Sequence, residues 1–123
     1  MIAPHHLLPQ EITKGQIYTP GTSAHFKEMI QRHDRVVVDF YADWCHGCKQ
    51  LHKIMDQLAQ DSELESILFV KINTEEHRML VHEFQIYTLP TIIFFHDGSI
   101  IHTVYGYHDK KKIKQIIKNT FFH

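Results

Sequence analysis

Apolar residues along the chain follow two periods, one typical of strands and one typical of helices. β-branched and aromatic residues dominate three runs, which predict buried strands at residues 36–41, 68–72 and 91–96. Shorter or more polar runs at residues 16–19 and 99–105 predict two further strands. Asp97 and Gly98 separate the last two runs and favour a tight hairpin with positive φ angles.

Apolar residues at helical spacing predict four helices between and after these strands. The first covers residues 23–33, the second runs from the cysteine motif described below to about residue 61, and the fourth is capped by Asp109. Asn73 and Glu76 fit a capping box, so we predict that a third helix starts there and runs through residue 84. The buried helix positions are predicted at Phe26, Met29 and Ile30, at Leu51, Ile54, Met55, Leu58 and Ala59, and at Ile113, Ile116, Ile117 and Phe121.

The element order β-α-β-α-β-α-β-β-α predicts an α/β protein with a central mixed sheet, flanked by helices and antiparallel at one edge. A length of 123 residues fits one hydrophobic core. Residues 1–14 carry two prolines and little periodicity, so we predict a flexible N-terminal arm. A single domain is then expected at residues 15–123.

Composition and charge exclude some classes of function. The net charge of −1 gives no reason to expect nucleic acid or an anionic membrane as a partner. No apolar run approaches the ~18 residues of a transmembrane helix, so we expect no membrane insertion. Residues 1–6 lack signal-peptide features, which predicts a cytoplasmic protein, with the periplasm as the alternative if the chain is part of an exported one. The 12 histidines are mostly dispersed and indicate a solvated surface, with a specific metal-binding or pH-sensing role as the alternative.

Both cysteines lie in the motif Cys45-His46-Gly47-Cys48, where a predicted strand passes into a predicted helix. Two thiols at this spacing lie on one face of a first helical turn, close enough to form a disulfide. The unpaired N–H groups at the helix start favour a thiolate at Cys45, which is the form that attacks disulfides. His52 completes a C-x2-C-x3-H pattern, so a metal cluster at Cys45, Cys48 and His52 is an alternative.

Asp39 is the polar residue in the middle of an otherwise apolar strand. Burial of a carboxylate removes its solvation, which favours the neutral acid and should raise its pKa. Asp39 lies one strand end away from the cysteines, so it could take the proton of Cys48 when that thiol attacks. Alternatively, Lys71 on the neighbouring strand satisfies the Asp39 carboxyl; both interpretations can hold.

These residues resemble the active-site signature of the thioredoxin family. The similarity runs over about residues 17–119 and rests on Trp44-Cys45-x-x-Cys48-Lys49 after Val38-Asp39-Phe40, and on Thr88-Leu89-Pro90-Thr91 before Asp97-Gly98. The sequence Tyr-Ala-Asp-Trp-Cys is also similar to the C-terminal catalytic domain of the bacterial membrane electron transporter that reduces periplasmic disulfide proteins. The resemblance implies the thioredoxin fold.

The resemblance also implies roles for individual residues. Cys45 would be the nucleophile and Cys48 the resolving thiol of a redox-active Cys45–Cys48 disulfide. Asp39 would accept the proton of Cys48, with Lys71 as its buried partner. The peptide bond before Pro90 would be cis and would let the backbone beside it pair with an extended substrate. An apolar rim around the thiols is implied at Trp44, Tyr87, Leu89 and Gly106, with burial in the core as the alternative for Tyr87.

His46 and Gly47 differ from the Gly-Pro pair that thioredoxins carry between their cysteines. This departure leaves the redox potential open. An imidazole beside Cys45 can stabilise the thiolate relative to the disulfide. We therefore predict a potential that is more oxidising than that of thioredoxin but short of a dedicated oxidase.

The predicted function is a thiol-disulfide oxidoreductase that reduces protein disulfides by dithiol–disulfide exchange, without a metal or an organic cofactor. We expect a monomer that acts on protein disulfide substrates and is re-reduced by an upstream protein donor, thioredoxin-reductase-like or a membrane thiol transporter. The alternatives are a thioredoxin-fold metal-binding module that uses Cys45, Cys48 and His52, and a disulfide oxidase or isomerase of the same fold. Attached c-type haem is disfavoured because Lys49 follows Cys48.

Overall fold

The computed structural model describes residues 15–122, so the arm predicted at residues 1–14 lies outside the described residues. One five-stranded sheet runs through this part of the chain. Its strands are β1 (Ile17–Tyr18), β2 (Arg35–Tyr41), β3 (Leu68–Asn73), β4 (Thr91–His96) and β5 (Ser99–Tyr105).

The sheet is mixed, with strand order β1-β3-β2-β4-β5. β3 is parallel to both β1 and β2, whereas β4 is antiparallel to both β2 and β5. Asp97 and Gly98 join β4 to β5 with φ angles of 50° and 85°, as the hairpin prediction requires. The predicted element order and the antiparallel edge are both confirmed.

Helices cover both faces of this sheet. They are α1 (Ser23–Arg32), α2 (His46–Ala59), α3 (Arg78–Glu83) and α4 (Lys110–Phe121), with a 3-10 turn at Ser62–Leu64. Asp109 caps α4 as predicted, because its side chain accepts the backbone N–H of Lys112 at 2.9 Å. No helix among residues 15–122 is long and apolar enough to cross a membrane.

The predicted start of the third helix is wrong. Asn73 is the last residue of β3, and its side-chain oxygen accepts the N–H of Glu75 at 2.9 Å. The Asn73 carbonyl accepts the N–H of His77 at 3.1 Å, which closes a turn. The side chain of Asn73 therefore stabilises a turn instead of a capping box, and α3 begins only at Arg78.

Alternating residues of β2 divide the core between the two faces of the sheet. Val36, Val38 and Phe40 pack with α1 and α3, whereas Val37 packs with α2 and α4. Asp39 follows the same alternation as Val37 and so points toward α2. The Asp39 carboxyl therefore lies between β2 and α2, the helix that begins at the cysteine motif.

Candidate active site

The cysteines lie at the start of α2, just after the short connection from β2. Cys45 is the N-cap of α2, and Cys48 lies in its first turn. The two are joined by a disulfide, with their Cα atoms 5.2 Å apart. The backbone N–H of Cys48 donates to Cys45 Sγ at 3.2 Å. In the reduced protein, the same N–H and the open end of the helix would stabilise negative charge on that sulfur.

The two sulfur-bearing residues are not equally accessible. Cys45 is 7% exposed, and Cys48 is 1% exposed. Both pack in a small cluster with Ala42, against the half-buried side chains of Tyr41 and Leu89. A substrate disulfide can therefore approach Cys45 more directly than Cys48.

A second loop borders the first turn of α2. The Leu89–Pro90 peptide bond is cis, and the N–H of Gly106 donates to the Pro90 carbonyl at 2.8 Å. A Cβ added at Gly47 would lie 3.6 Å from Pro90 Cδ, which places the cysteine motif and the proline loop side by side. The loop predicted to border the thiols does so.

Exposed aromatic side chains lie on this side of the molecule. Trp44 is 69% exposed and donates its indole N–H to Glu75 at 2.8 Å. Tyr87 is 83% exposed and lines a groove together with Glu75, so the alternative of Tyr87 as a core residue is wrong. Exposed aromatic surface beside a reactive pair suits the docking of another protein.

Asp39 is buried as the sequence predicts. Its side chain is 1% exposed, and desolvation raises its pKa to about 7, although the charge of Lys71 opposes this rise. Lys71 is the register partner of Asp39 on β3, but its ammonium lies 6.0 Å from the Tyr41 ring centroid. The ion pairs formed among the described residues do not include Asp39 with Lys71, so Lys71 acts on the carboxyl through its charge at longer range.

His52 is the side chain that contacts Asp39. Its Nε2 lies 3.5 Å from Asp39 Oδ2, one helical turn beyond Cys48. Desolvation lowers the pKa of His52, with a further lowering by Lys71. Burial therefore favours the neutral form of each partner, and the contact is not a salt bridge at rest.

The metal interpretation of His52 is not favoured by this geometry. His52 turns toward Asp39, and no three histidine, cysteine or acidic side chains converge as ligands anywhere in residues 15–122. The sequence pattern C-x2-C-x3-H indicated that Cys48 and His52 share a helix face. It could not show that a carboxyl from β2 lies against that face.

Sequence reasoning missed three residues of this site. His52 was considered only as a metal ligand, and neither Glu75 nor Tyr107 was singled out. Tyr107 Cβ lies 3.6 Å from the position of a Cβ on Gly47. The position of Tyr107 just after Gly106 was the only available signal, and nothing in the sequence pairs Glu75 with Trp44.

Two thiols that open and close a disulfide at a helix N-terminus define a thiol–disulfide exchange site. The family model described as Thioredoxin matches residues 18–119 of the chain. The chain therefore belongs to the thioredoxin family.

Individual relatives agree with this assignment. The chain is 35% identical over 95 residues to a thioredoxin of Mycoplasmoides gallisepticum, with 77% of this chain and 93% of the relative covered. It is 38% identical over 86 residues to a thioredoxin of Pyropia yezoensis, with 69% and 79% covered. The solved thioredoxin of Malassezia sympodialis superposes with a TM-score of 0.80 at 27% identity, covering 89% of this chain and 94% of that one.

These findings confirm the thioredoxin fold and the predicted activity. The protein is a protein-disulfide oxidoreductase that works by dithiol–disulfide exchange through Cys45 and Cys48. Its substrates are protein disulfides. Neither the metal-binding module nor the oxidase or isomerase alternative is favoured.

Proposed function

We propose that the protein works as a reductant in which Cys45 attacks and Cys48 resolves. The difference in burial between the two cysteines carries this assignment. Cys45 is the more exposed of the two residues, and its sulfur accepts a backbone N–H at the start of α2, which favours its thiolate. The buried Cys48 is suited to an attack from within the protein.

Asp39 is proposed as the acceptor of the Cys48 proton. Cys48 must lose its proton before it can displace the product, and water has little access to a residue that is 1% exposed. A carboxyl with a pKa of about 7 can accept that proton and give it up again near neutral pH. Its contact with His52, which follows Cys48 by one turn of α2, supports this role.

The proposed partners follow from the need for turnover. Each reduction leaves the Cys45–Cys48 disulfide, so a protein donor must return two electrons before the next cycle. We propose a monomer that is re-reduced by a thioredoxin-reductase-like enzyme or by a membrane thiol transporter. A cytoplasmic location suits a reductant because thiols are kept reduced there, and the periplasm is the alternative.

Trapping of the mixed disulfide tests the assignment of the cysteines. We expect Cys48→Ser to accumulate mixed disulfides through Cys45, because the attacking thiol remains and the resolving thiol is lost. Cys45→Ser is the matched control and should trap almost nothing. Nonreducing gels followed by mass spectrometry give the readout. Equal yields of the same partners from both variants would contradict the assignment.

The donor can be tested separately. Purified oxidised protein is mixed with NADPH and a thioredoxin reductase, and the loss of NADPH absorbance is followed with an insulin disulfide as the final acceptor. Rapid oxidation of NADPH that requires only catalytic amounts of the protein supports a soluble reductase as the donor. If the reductase oxidises no NADPH in this mixture, and a membrane thiol transporter in vesicles reduces the Cys45–Cys48 disulfide, the transporter is favoured as the donor.

A further inference from the structure

Three buried polar atoms meet between β2 and α2. Both carboxyl oxygens of Asp39 and the Nε2 atom of His52 are buried and have no hydrogen-bond partner among residues 15–122. Nε2 and Oδ2 are 3.5 Å apart, a few tenths of an ångström beyond an ordinary N–H···O bond. Buried polar groups are nearly always paired, so this contact calls for an explanation.

The imidazole spans the distance from the core to the surface. The Asp39 side chain is 1% exposed, whereas that of His52 is 26% exposed. The Tyr41 ring packs edge-to-face on the imidazole, with ring centroids 4.5 Å apart, and fixes its orientation. His52 thus has one ring nitrogen facing the buried carboxyl and part of its ring facing solvent.

We propose that His52 is a positioning residue that passes the proton of Asp39 between the core and solvent. This inference rests on the proposed role of Asp39 as the acceptor of the Cys48 proton. A carboxyl that accepts a proton once in each catalytic cycle must also release it. His52 contacts the carboxyl and is itself partly exposed to solvent.

The proton and electron balance is complete without another reactant. As Cys48 gives its proton to the Asp39 carboxylate, its sulfur attacks Cys45 Sγ in the mixed disulfide. The bond between Cys45 and the substrate breaks, its electron pair leaves on the substrate sulfur, and the Cys45–Cys48 disulfide forms. The neutral Asp39 then gives its proton to His52 Nε2, and the imidazolium releases a proton to water.

The surrounding charges are compatible with this transfer. Burial and Lys71 on β3 lower the pKa of His52, whereas Asp56 on α2 and Asp43 after β2 raise it. Burial also raises the pKa of Asp39 to about 7. The raised pKa of Asp39 and the contact between its carboxyl and Nε2 are what a proton transfer between the two groups requires.

A pH profile of disulfide reduction tests the proposal. The rate is measured between pH 5.5 and 9 for the wild type, His52→Leu and His52→Gln. We expect each variant to be slower by about three- to tenfold near pH 6.5, less than the 10²- to 10⁴-fold of direct proton transfer. The pH at which the rate of disulfide reduction rises should also be higher in the variants than in the wild type. Added imidazole should restore part of the lost rate in the variants and leave the wild type unchanged.

The control is His102→Leu, which replaces an exposed histidine of β5 outside the groove that Glu75 and Tyr87 line, and it should keep the wild-type profile. Circular dichroism and thermal unfolding establish that each variant is folded, and His52→Gln serves if His52→Leu is not. A wild-type profile for the folded His52 variant overturns the proposal.

Combination with Asp39→Asn separates this inference from the proposed role of Asp39. If His52 acts through Asp39, His52→Leu should slow the Asp39→Asn protein no further. Equal slowing by His52→Leu in both backgrounds overturns the relay through Asp39. An altered profile for Asp39→Asn with no effect of His52→Leu overturns the role of His52 alone. A wild-type profile for Asp39→Asn overturns both roles.

Discussion

Asp39 occupies a position on β2 whose neighbours, Val38 and Phe40, are fully buried apolar residues. Its carboxyl is held in the core with no hydrogen-bond partner among the described residues, and its pKa is raised to about 7. A shift of this size from the ordinary value of 3.8 corresponds to about 4 kcal/mol of opposition to the charged form. The residue therefore lowers stability at the pH where it is useful for proton transfer.

Asp39→Asn should increase stability in alkaline solution. The folded wild type holds the Asp39 proton up to about pH 7, whereas the unfolded chain loses it near pH 4. Wild-type stability thus falls as the pH rises between these values, and the amide does not titrate. We expect the variant to be more stable by about 2–4 kcal/mol at pH 8. The difference should shrink to near zero at pH 4.

Urea unfolding of the oxidised wild type and variant at several pH values measures this difference. Glu65→Gln is a control, because it removes an exposed carboxylate that does not act on Asp39 or His52. It should show no such pH dependence. A constant offset between Asp39→Asn and the wild type from pH 4 to pH 8 would mean that Asp39 is ionised throughout.

The sequence allowed one member of this buried pair to be predicted but not the other. A carboxylate inside a β-branched run is unusual enough to indicate burial and a raised pKa at Asp39. His52 lies among apolar positions of an amphipathic helix, where a histidine has several ordinary explanations. Only the crossing of α2 over β2 brings its Nε2 to 3.5 Å from Asp39. Such a contact depends on three-dimensional packing and not on spacing in the chain.

At the scale of secondary structure, the first turn of α2 combines the chemistry with the start of a helix. Cys45 caps the helix, and His46 and Gly47 are its first two residues. Gly47 has room for a Cβ at ordinary van der Waals distance from Pro90 and Tyr107. Steric exclusion by these two residues therefore does not explain the glycine. The composition of this turn is where the chain differs from the Gly-Pro pattern of thioredoxins.

His46→Gly should make the protein more reducing. His46 is exposed and follows Cys45 directly in the chain. An imidazolium or an N–H donor near the sulfur stabilises the thiolate and so raises the reduction potential. Solvent screening limits the effect to about 0.5–1 kcal/mol. Since 30 mV corresponds to about 1.4 kcal/mol, we expect a decrease of about 10–20 mV.

Equilibration with glutathione buffers of graded composition gives both potentials. His25→Gly, a substitution on α1, is the control for loss of a histidine on the face of the sheet opposite α2. Its potential should equal that of the wild type. If His46→Gly also has the wild-type potential, His46 is only an exposed side chain near the thiols.

The elements differ in how well local patterns predicted them. Asp97 and Gly98 gave the correct hairpin because their positive φ angles are a local requirement. Asn73 and Glu76 were misread because the same side chains that cap helices also close turns. Asn73 closes a turn and does not cap a helix, because β3 extends through Asn73 and pairs it with Tyr41 of β2. Tertiary pairing thus overrode a valid local signal.

At the scale of the whole molecule, the hydrophobic core has two layers, one on each face of the sheet, and only one of them borders the reacting groups. α2 and α4 pack on the face that carries the disulfide and Asp39, whereas α1 and α3 pack on the other face. Phe26 of α1 lies at the centre of the second layer, with ring centroids 5.9–6.4 Å from those of Phe40, Phe84 and Phe95. Substitutions in that layer should change stability without altering the groups that react.

Phe26→Ala and Lys27→Ala test this separation at adjacent positions of α1. Phe26 is fully buried, so its truncation should lower the free energy of unfolding by about 3–5 kcal/mol through lost burial and a cavity. Lys27 forms an ion pair with Glu83 at 2.7 Å, but both side chains are about half exposed. Its loss should lower stability by less than about 1 kcal/mol, and 1 M salt should remove the difference.

Denaturant unfolding of the oxidised proteins measures both changes, and disulfide reduction is assayed well below each unfolding midpoint. Because Phe26 faces away from the cysteines, we expect the folded Phe26→Ala protein to keep the wild-type pH profile and reduction potential. A shifted profile or potential in folded Phe26→Ala would show that the two layers are coupled through β2. That result would mean that the pKa of Asp39 depends on packing across the whole sheet and not only on its contacts beneath α2.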